Sequence, residues 1–465
     1  MTNKKFKLAA MSLATAVAVS AVGPSASAVT YYLGDGSVTV DKDVDRGAYS
    51  YQGEDGSEEH RTYVNEDKAE TGDGTIYVKD GNAPTEDVPP STDNSDNGTE
   101  VPTPTDNATQ STDASGNNAE NSTTTETAPG NTITVKEDVK DATIVVEGVN
   151  VDTSDTSTQT DTSAEVTADA DTKEDKTIIK VGEGADVDLT VKDSNLTTGG
   201  HGIDIGVNLD EKDDNKETNV DLTLDNTEIN LTEKDNTAGI VARDHSKVDV
   251  TLKGENTIDG KEALEDAAQE AEAAKKEGKS SPNRNVEGIR VGGENAGDDS
   301  KGKGASLTIK GDETSDQGSL NIDHTSTGMV ISNGSDVTLT DNADVDIKHT
   351  EAGSSTQGGR GIVQRGDLTV EDKSSLTIDT VGSGAYKIDN DQEGLVYGNN
   401  GYGIDSTDDI TVKGDSTLEI KGTQSSAIYG GTGSSLTVED STLNVNVSGG
   451  TMEEKLNPKD IFQRQ

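Results

Sequence analysis

The stretch GMVISNGSDVTLTDNADVDI, residues 328–347, is one copy of a phrase that recurs along the chain. Later copies are GIVQRGDLTVEDKSSLTI at 361–378, GIDSTDDITVKGDSTLEI at 403–420 and AIYGGTGSSLTVEDSTLNV at 427–445. Each copy holds three short segments in which aliphatic and polar residues alternate, joined by Gly, Asn, Asp and Ser. This alternation predicts three short β-strands per copy.

Each copy begins with a small residue that is followed by an aliphatic one. These small anchor residues are Gly202, Gly239, Gly288, Gly328, Gly361, Gly403 and Ala427. Strands this short are not stable alone, and the simplest cover for their apolar face is the next copy stacked on them. We therefore expect an all-β fold, a right-handed parallel β-helix with three short strands per coil and about eight or more coils.

An aliphatic-Thr-aliphatic triplet follows each anchor, and its threonine faces outward in this fold. The threonines would form one ladder along the rod: Thr190, Thr223, Thr251, Thr308, Thr338, Thr369, Thr411 and Thr437. Because threonine is well suited to the outer face of a sheet, we interpret this ladder as structural.

The first 28 residues have the features of a secretory signal peptide. Lys4, Lys5 and Lys7 precede an apolar run, and Ala26-Ser27-Ala28 forms the A-x-A pattern of a cleavage site with Ala26 and Ala28 at its key positions. The run is too short for a membrane span, and we expect a protein that is secreted or displayed on a bacterial cell surface.

The rest of the chain divides by composition. We expect a small Tyr-containing β module or N-terminal cap at 29–81, a disordered acidic Thr/Ser/Asn/Pro linker at 82–130, the parallel β-helix at 131–449 and a C-terminal tail at 450–465. The β-helix is interrupted by a disordered insertion at 152–175 and a helical insertion at 259–278. Asp259 is the expected N-cap of that helix, and its apolar stripe is mostly alanine, so it docks weakly or projects into solvent.

Charge and cysteine usage exclude several functions. The formal charge of −50 opposes binding to nucleic acids and to anionic membranes. The chain has no cysteine, which excludes disulfides, thiolate zinc sites and a cysteine nucleophile. After the signal no segment is apolar enough for membrane insertion.

The repeated GI…LTV…S-x-L-x-I phrase of residues 131–449 resembles secreted bacterial right-handed β-helix proteins of the pectin-lyase-like fold. More narrowly, the chain is similar to the acidic, Thr- and Asp-rich adhesin-like surface proteins of Gram-positive bacteria. This fold hosts lyases, hydrolases, adhesins and inert stalks. The resemblance therefore implies an architecture and leaves the activity open.

Enzymes on this scaffold would use Asp or Glu around Ca²⁺ with a basic residue, or paired carboxylates. Arg243 and Arg365 share one position after their anchors, and Asp204 and Asp405 share another, but we find no acidic cluster on adjacent coils. The five histidines, at positions 60, 201, 245, 324 and 349, follow no metal-ligand spacing, and we interpret them as turn residues. We therefore expect no enzyme, no catalytic residue and no cofactor.

Calcium is the only metal for which the sequence offers candidates. Asp389, Asp391 and Glu393 have spacing similar to an EF-hand loop, but the segment ends in Asn400 where such a loop carries Glu. We expect weak, non-specific Ca²⁺ binding and no firm metal site.

Tyrosines with adaptable polar neighbours are concentrated near the C-terminal copies. The candidate ligand-contact residues are Tyr386, Tyr397, Asn399, Asn400, Tyr402 and Tyr429. Such a set suits contact with a glycan or a protein, since the ring is apolar and the hydroxyl is polar. The alternative is that these rings cover the end of the rod.

The leading interpretation is a non-catalytic, carbohydrate-binding or protein-binding surface rod of adhesin-like type, whose partner is a glycan or a host or matrix protein. The first alternative is a polysaccharide-active lyase or hydrolase. The second is a purely structural stalk or a fragment of a longer surface protein, because the sequence ends without a sorting motif or apolar tail.

Overall fold

The computed structural model describes eighteen parts of the chain. They are residues 29–33, 37–40, 47–52, 58–64, 75–80, 128–129, 131–154, 176–209, 216–276, 285–293, 304–312, 318–350, 359–380, 385–387, 395–397, 401–423, 426–446 and 462–464. The predicted signal peptide and most of the predicted linker lie outside these residues.

Six strands precede the repeats. They are β1 (Val29–Tyr32), β2 (Ser37–Val40), β3 (Gly47–Gln52), β4 (Glu58–Val64), β5 (Thr75–Lys79) and β6 (Ala128–Pro129).

Nine complete coils of three strands follow in the described part of the chain. They are β7 (Ile133–Val135), β8 (Lys140–Glu147), β9 (Asn150–Asp152); β10 (Ile179–Gly182), β11 (Asp186–Lys192), β12 (Asn195–Thr198); β13 (Ile203–Val207), β14 (Thr218–Asp225), β15 (Glu228–Leu231); β16 (Thr237–Ala242), β17 (Ser246–Lys253), β18 (Glu255–Asp259); β19 (Val286–Val291), β20 (Ser306–Gly311), β21 (Ser319–Asp323); β22 (Thr327–Ile331), β23 (Asp336–Thr340), β24 (Asp344–Lys348); β25 (Arg360–Gln364), β26 (Asp367–Val370), β27 (Ser375–Asp379); β30 (Tyr402–Ser406), β31 (Ile410–Lys413), β32 (Thr417–Lys421); and β33 (Ser426–Gly430), β34 (Leu436–Glu439), β35 (Thr442–Asn446).

Four further elements lie outside this pattern. They are α1 (Lys261–Lys276), β28 (Ala385–Lys387), β29 (Leu395–Tyr397) and β36 (Phe462–Arg464).

The first, second and third strands of successive coils form three parallel sheets, which we name sheet B, sheet A and sheet C in that order along a coil. Sheet B has 13 strands in the order β3-β4-β2-β7-β10-β13-β16-β19-β22-β25-β30-β33-β36. Sheet A has 11 strands and sheet C has 10, and both also follow the coil order. The chain is thus a right-handed parallel β-helix with three strands per coil, which confirms the predicted fold class.

The core consists of aliphatic columns that run along the rod. In sheet B the residue after each anchor pairs with its counterpart one coil later, as in Ile203 with Ile240 and Met329 with Ile362. These side chains are at most 1% exposed. A core with little aromatic content is sufficient here because each coil covers the next.

The anchor glycines are required by the closeness of neighbouring coils. A Cβ atom on Gly328 would lie 2.7 Å from the carbonyl oxygen of Gly361 in the next coil, and closer still to the side chain of Ile347. Gly202, Gly239, Gly288, Gly361 and Gly403 have equivalent surroundings. The small residue at the start of each repeat therefore marks the corner between sheets C and B.

The three sheets differ in how they meet solvent. Strands of sheets A and C alternate between buried and partly exposed residues, as in β24 and β26. Strands of sheet B are buried at nearly every position, as in β16, β19 and β30. The outward side chains of sheet B are therefore also largely shielded from solvent, unlike those of sheets A and C.

Residues 29–81 contribute strands to the rod. In sheet B, β2 pairs with β7, and in sheet A, β5 pairs with β8, while β3 and β4 form an antiparallel hairpin between them. At the other end of the chain, β36 within the predicted tail pairs with β33. Both terminal regions thus extend the sheets.

The helix of the predicted insertion is described over Lys261–Lys276, and its first turns dock on the rod. The backbone nitrogen of Lys261 donates to the Asp259 carboxylate at 2.9 Å, so Asp259 caps the helix as expected. Ala263, Leu264 and Ala267 are buried. The alanine-rich stripe is therefore narrow enough to approach the rod closely.

The threonine ladder predicted on sheet A is wrong in one respect, because it is interrupted. Thr190, Thr223 and Thr251 pair in sequence, but Thr308 pairs with Asp249 and not with Thr251. From Thr308 the ladder continues to Thr437 in a second column. The shift of two residues preserves the inward aliphatic positions, since strand side chains alternate with a period of two.

Candidate functional site

The outer face of sheet B carries buried charged residues in one column. Asp204, Arg290 and Asp405 occupy the second position after their anchors, and the column also contains Val241, Val330 and Val363. Because charges are seldom buried without a partner, the contacts of these side chains show how the face is stabilised.

Arginines pair with the two aspartates across neighbouring coils. Arg243 donates from Nε and Nη2 to the two carboxylate oxygens of Asp204, at 2.8 and 2.7 Å. Arg365 donates to Asp405 from Nη1 and Nη2, at 3.4 Å to Oδ1 and 3.1 Å to Oδ2. The sequence grouped the two arginines by one position and the two aspartates by another, and the structure shows that they form two charge-assisted pairs.

A third pair lies between the other two. Arg290 Nε is 2.6 Å from Glu287 Oε2, and Arg290 Nη2 donates to Asn236 at 2.9 Å. Both charged side chains are almost fully buried. Burial raises the pKa of Glu287 above its ordinary value, although the Arg290 guanidinium acts in the opposite direction.

In the C-terminal coils, two tyrosine rings accompany the Arg365–Asp405 pair. Tyr402 and Tyr429 stack across neighbouring coils, with ring centroids 4.8 Å apart and an interplanar angle of 9°. Tyr429 follows Asp405 in the outer column of sheet B. We name Arg360, Arg365, Tyr402, Asp405 and Tyr429 the C-terminal Tyr-Arg cluster.

The two rings of this cluster differ in accessibility. Tyr402 is only 8% exposed, whereas Tyr429 is partly exposed. Stacking on Tyr402 fixes the plane of the Tyr429 ring. Tyr429 is therefore the more solvent-exposed ring of the pair, and Tyr402 stacks against it from the preceding coil.

Arg360 gives the cluster an unused hydrogen-bond donor. Its Nη1 lies 3.5 Å from Asp405 Oδ2. Its Nε is buried and has no hydrogen-bond partner among the described residues. A buried donor without an acceptor is uncommon in folded proteins.

The remaining predicted contact residues are only partly placed. Tyr386 lies in β28 opposite Val396, and Tyr397 lies in β29 opposite Ala385, in a two-stranded antiparallel hairpin inserted before β30. Asn399 and Asn400 lie outside the described residues, as do the calcium candidates Asp389, Asp391 and Glu393 and the cleavage-site residues Ala26 and Ala28. These stay predictions.

An acidic cluster on adjacent coils corrects the sequence analysis. Asp367 of one coil and Asp408 and Asp409 of the next present carboxylate oxygens within 4.8 Å of one another. Partial burial, then the charges of Asp408 and Asp409, raises the pKa of Asp367. The sequence argument followed only the column after the anchors and so missed these residues, which lie between sheets B and A.

Sequence reasoning also missed contacts between histidines. His324 and His349 lie 25 positions apart in the sequence, yet their rings stack with centroids 5.1 Å apart. The signal was present in the repeats, because each histidine lies two positions after the second aliphatic residue of its sheet C strand.

Comparison with known proteins gives no relative from which a function could be transferred. No protein-family model, curated protein or solved structure matches the chain. Within the described residues, no helix combines the length and apolar character needed to cross a membrane. Functional inference therefore rests on the residues themselves.

Proposed function

We propose that this chain is a non-catalytic, extracellular β-helical rod of adhesin-like type that contacts glycans or host or matrix proteins. The carrying observation is the C-terminal Tyr-Arg cluster, in which the Tyr429 ring, stacked on Tyr402, lies in register with the aspartate that two arginines contact. The secreted or surface location rests on the signal features of residues 1–28, and the kinship with pectin-lyase-like adhesins rests on the repeated phrase.

The chemistry of the cluster favours a ligand that combines an apolar face with oxygen acceptors. A partly exposed tyrosine ring provides apolar contact area at low entropic cost. The partly exposed guanidinium groups of Arg360 and Arg365 provide donors for a carboxylate, hydroxyl or carbonyl oxygen. A sugar ring has both features, as does an extended peptide.

The rigidity of the support also favours binding. Each member of the cluster lies in a strand of sheet B or directly after one, and neighbouring coils hold it by backbone pairing and charge-assisted contacts. A preorganised surface loses little conformational freedom on binding.

The test is a binding screen of the purified protein on immobilised glycans, mucin and matrix proteins. We expect saturable binding that Tyr429→Ala weakens about tenfold or more, the effect of a central aromatic contact. Tyr77→Ala is the matched control, because Tyr77 is a partly exposed tyrosine in β5 near the other end of the rod.

Two outcomes would count against this function. If the folded protein binds nothing in the screen, the structural-stalk alternative replaces the proposal. If Tyr77→Ala weakens binding as much as Tyr429→Ala, the contact surface is not the C-terminal Tyr-Arg cluster.

A polysaccharide-active enzyme is the second candidate, and the acidic cluster is the observation that favours it. A carboxyl group with a raised pKa beside other carboxylates is one arrangement for acid–base chemistry. If the protein releases reducing ends or unsaturated products from acidic polysaccharides, and Asp367→Asn abolishes this release, the enzyme interpretation replaces the non-catalytic one.

A further inference from the structure

Two histidines occupy the same corner of successive coils. His324 follows β21 and His349 follows β24, and both have left-handed backbone conformations, with φ of 49° and 47°. Gly422, which has φ of 74°, follows the next-but-one sheet C strand, β32, at the equivalent place. A left-handed backbone costs a histidine more conformational energy than it costs a glycine. A simple turn at this position would therefore favour glycine over histidine.

The two imidazoles converge with carboxylates from their own and the preceding coils. His349 Nδ1 is 2.7 Å from Asp323 Oδ1, and His324 Nδ1 is 3.3 Å from the same oxygen. On its other side, His324 Nδ1 is 3.2 Å from Oδ1 of Asp259, the N-cap of α1. The nitrogen and oxygen atoms of Asp323, His324 and His349 all lie within 4.8 Å of one another.

These separations are those of a compact coordination shell. Zn²⁺ binds histidine nitrogen and carboxylate oxygen at about 2.0–2.2 Å, so neighbouring ligand atoms of a tetrahedral site lie about 3.3–3.6 Å apart. The 3.3 Å between His324 Nδ1 and Asp323 Oδ1 is at that spacing. The 2.7 Å between His349 Nδ1 and the same oxygen is a hydrogen-bond distance, which must lengthen when an ion binds.

Lys348 precedes His349 in the sequence, but its charge is not directed at the carboxylate of Asp323. Lys348 Nζ is 2.8 Å from Asp346 and 3.0 Å from Asn321, so its charge is directed to the sheet face. The ion-pair contacts found for Asp323 within the described residues are with the two histidines. An ion at this corner would neutralise Asp323 and use both imidazoles at once.

We propose that Asp323, His324 and His349 bind one divalent transition-metal ion of the zinc class. Two imidazole nitrogens and carboxylate oxygens suit zinc, copper or nickel better than calcium, which prefers oxygen ligands alone. The bound ion joins the ends of β21 and β24 and so clamps two consecutive coils. This site is independent of the C-terminal Tyr-Arg cluster.

The test is calorimetric titration of the purified, chelator-treated protein with Zn²⁺ in the presence of excess Ca²⁺, which occupies the non-specific acidic sites. We expect one Zn²⁺ per chain at this site. In the double variant His324→Asn/His349→Asn, Zn²⁺ affinity should fall about tenfold or more, because loss of outer-shell partners alone costs 10–100-fold. Asparagine is chosen because it tolerates the left-handed conformation.

His245→Asn is the matched control, since His245 also has a left-handed backbone, with φ of 65°, in a turn before β17. Its Zn²⁺ affinity should equal that of the unsubstituted protein. Co²⁺ provides a second readout, because a tetrahedral site gives visible absorption that the double variant should lack.

The single variant His349→Asn keeps the test decisive if the double variant unfolds, because the His349 side chain is 56% exposed. Equal Zn²⁺ affinity in the unsubstituted protein and in a folded histidine variant would overturn the proposal. Equal loss in the control would also overturn it, because the effect would then be general.

Discussion

At the scale of single residues, the anchor glycines explain why the repeat can be recognised in the sequence. Each of them lies where a side chain would overlap the next coil. The same position carries Ala427 in the last complete coil, and Thr132 and Ile178 in the first two coils. Glycine is thus a steric requirement of stacking from Gly202 to Gly403, where the next coil approaches most closely.

Replacing an anchor glycine in the middle of the rod is expected to destabilise it. For Gly328→Ala we expect the free energy of unfolding to fall by about 1–3 kcal/mol, the cost of overpacking a core. Denaturant unfolding followed by circular dichroism measures the change.

Gly148→Ala provides a comparison, because a Cβ there has nothing within 4 Å. Its positive φ of 64° limits the expected cost to about 1 kcal/mol. If Gly328→Ala were no more harmful than Gly148→Ala, the steric explanation of the repeat would fail.

Single residues also show where sequence reasoning stops. The sequence grouped Asp204 with Asp405, and Arg243 with Arg365, by their positions after the anchors. It did not predict that Asp204 pairs with Arg243 of the next coil. The histidine corner and the carboxylates of Asp367 and Asp408 were missed. Both lie at turns, where contacts depend on corner geometry that alternation does not encode.

At the scale of elements, strand register places like charges in line. Asp188 of β11, Asp221 of β14 and Asp249 of β17 are direct register partners on the outer face of sheet A. Partial loss of hydration, followed by the charges of Asp249 and Asp188, raises the pKa of Asp221, while Lys310 and Lys247 act to lower it. This ladder therefore carries electrostatic strain at neutral pH.

The sign of the pH dependence follows from the raised pKa. Between the ordinary value of 3.8 and the higher folded value, the unfolded chain has lost the proton that the folded protein keeps. Stability therefore falls as pH rises through this interval, and the full penalty is present at neutral pH.

Asp221→Asn is expected to remove this penalty and to raise the free energy of unfolding at pH 7 by roughly 0.2–1 kcal/mol, the range for like charges across strands. The gain should vanish below pH 3.8. Urea unfolding at several pH values measures it. Asp225→Asn is the control, because Asp225 lies between Lys192 and Lys253 in register and should give no gain; an equal gain would contradict the argument.

Register is also the property that the sequence predicted least well. The strands and their inward residues were recognisable from alternation, yet the threonine ladder broke between Thr251 and Thr308. Periodicity of two fixes which face a residue occupies, but it leaves shifts of two residues undetermined.

At the scale of the whole molecule, the charge of −50 opposes the close stacking of coils. Salt shortens the range of this repulsion from about 30 Å at 0.01 M to about 3 Å at 1 M. We expect the thermal midpoint to rise over this range of NaCl, as followed by circular dichroism.

Choline chloride is the appropriate comparison, because its bulky cation screens charge without entering small oxygen-lined sites. Similar increases in the two salts indicate screening of the net charge. A midpoint that stays constant or falls in both salts would contradict the idea that net charge limits the stability of the rod.

The length of chain between strands varies at the corners of this molecule, whereas the register of the strands stays constant. Gly361 and Gly403 are 42 positions apart, whereas Gly403 and Ala427 are 24 apart, yet Ile362, Ile404 and Ile428 remain consecutive partners in one column. Added length leaves the sheet at a corner and returns to the same register. The molecule can therefore acquire new surface segments by insertion during evolution while its spine remains unchanged.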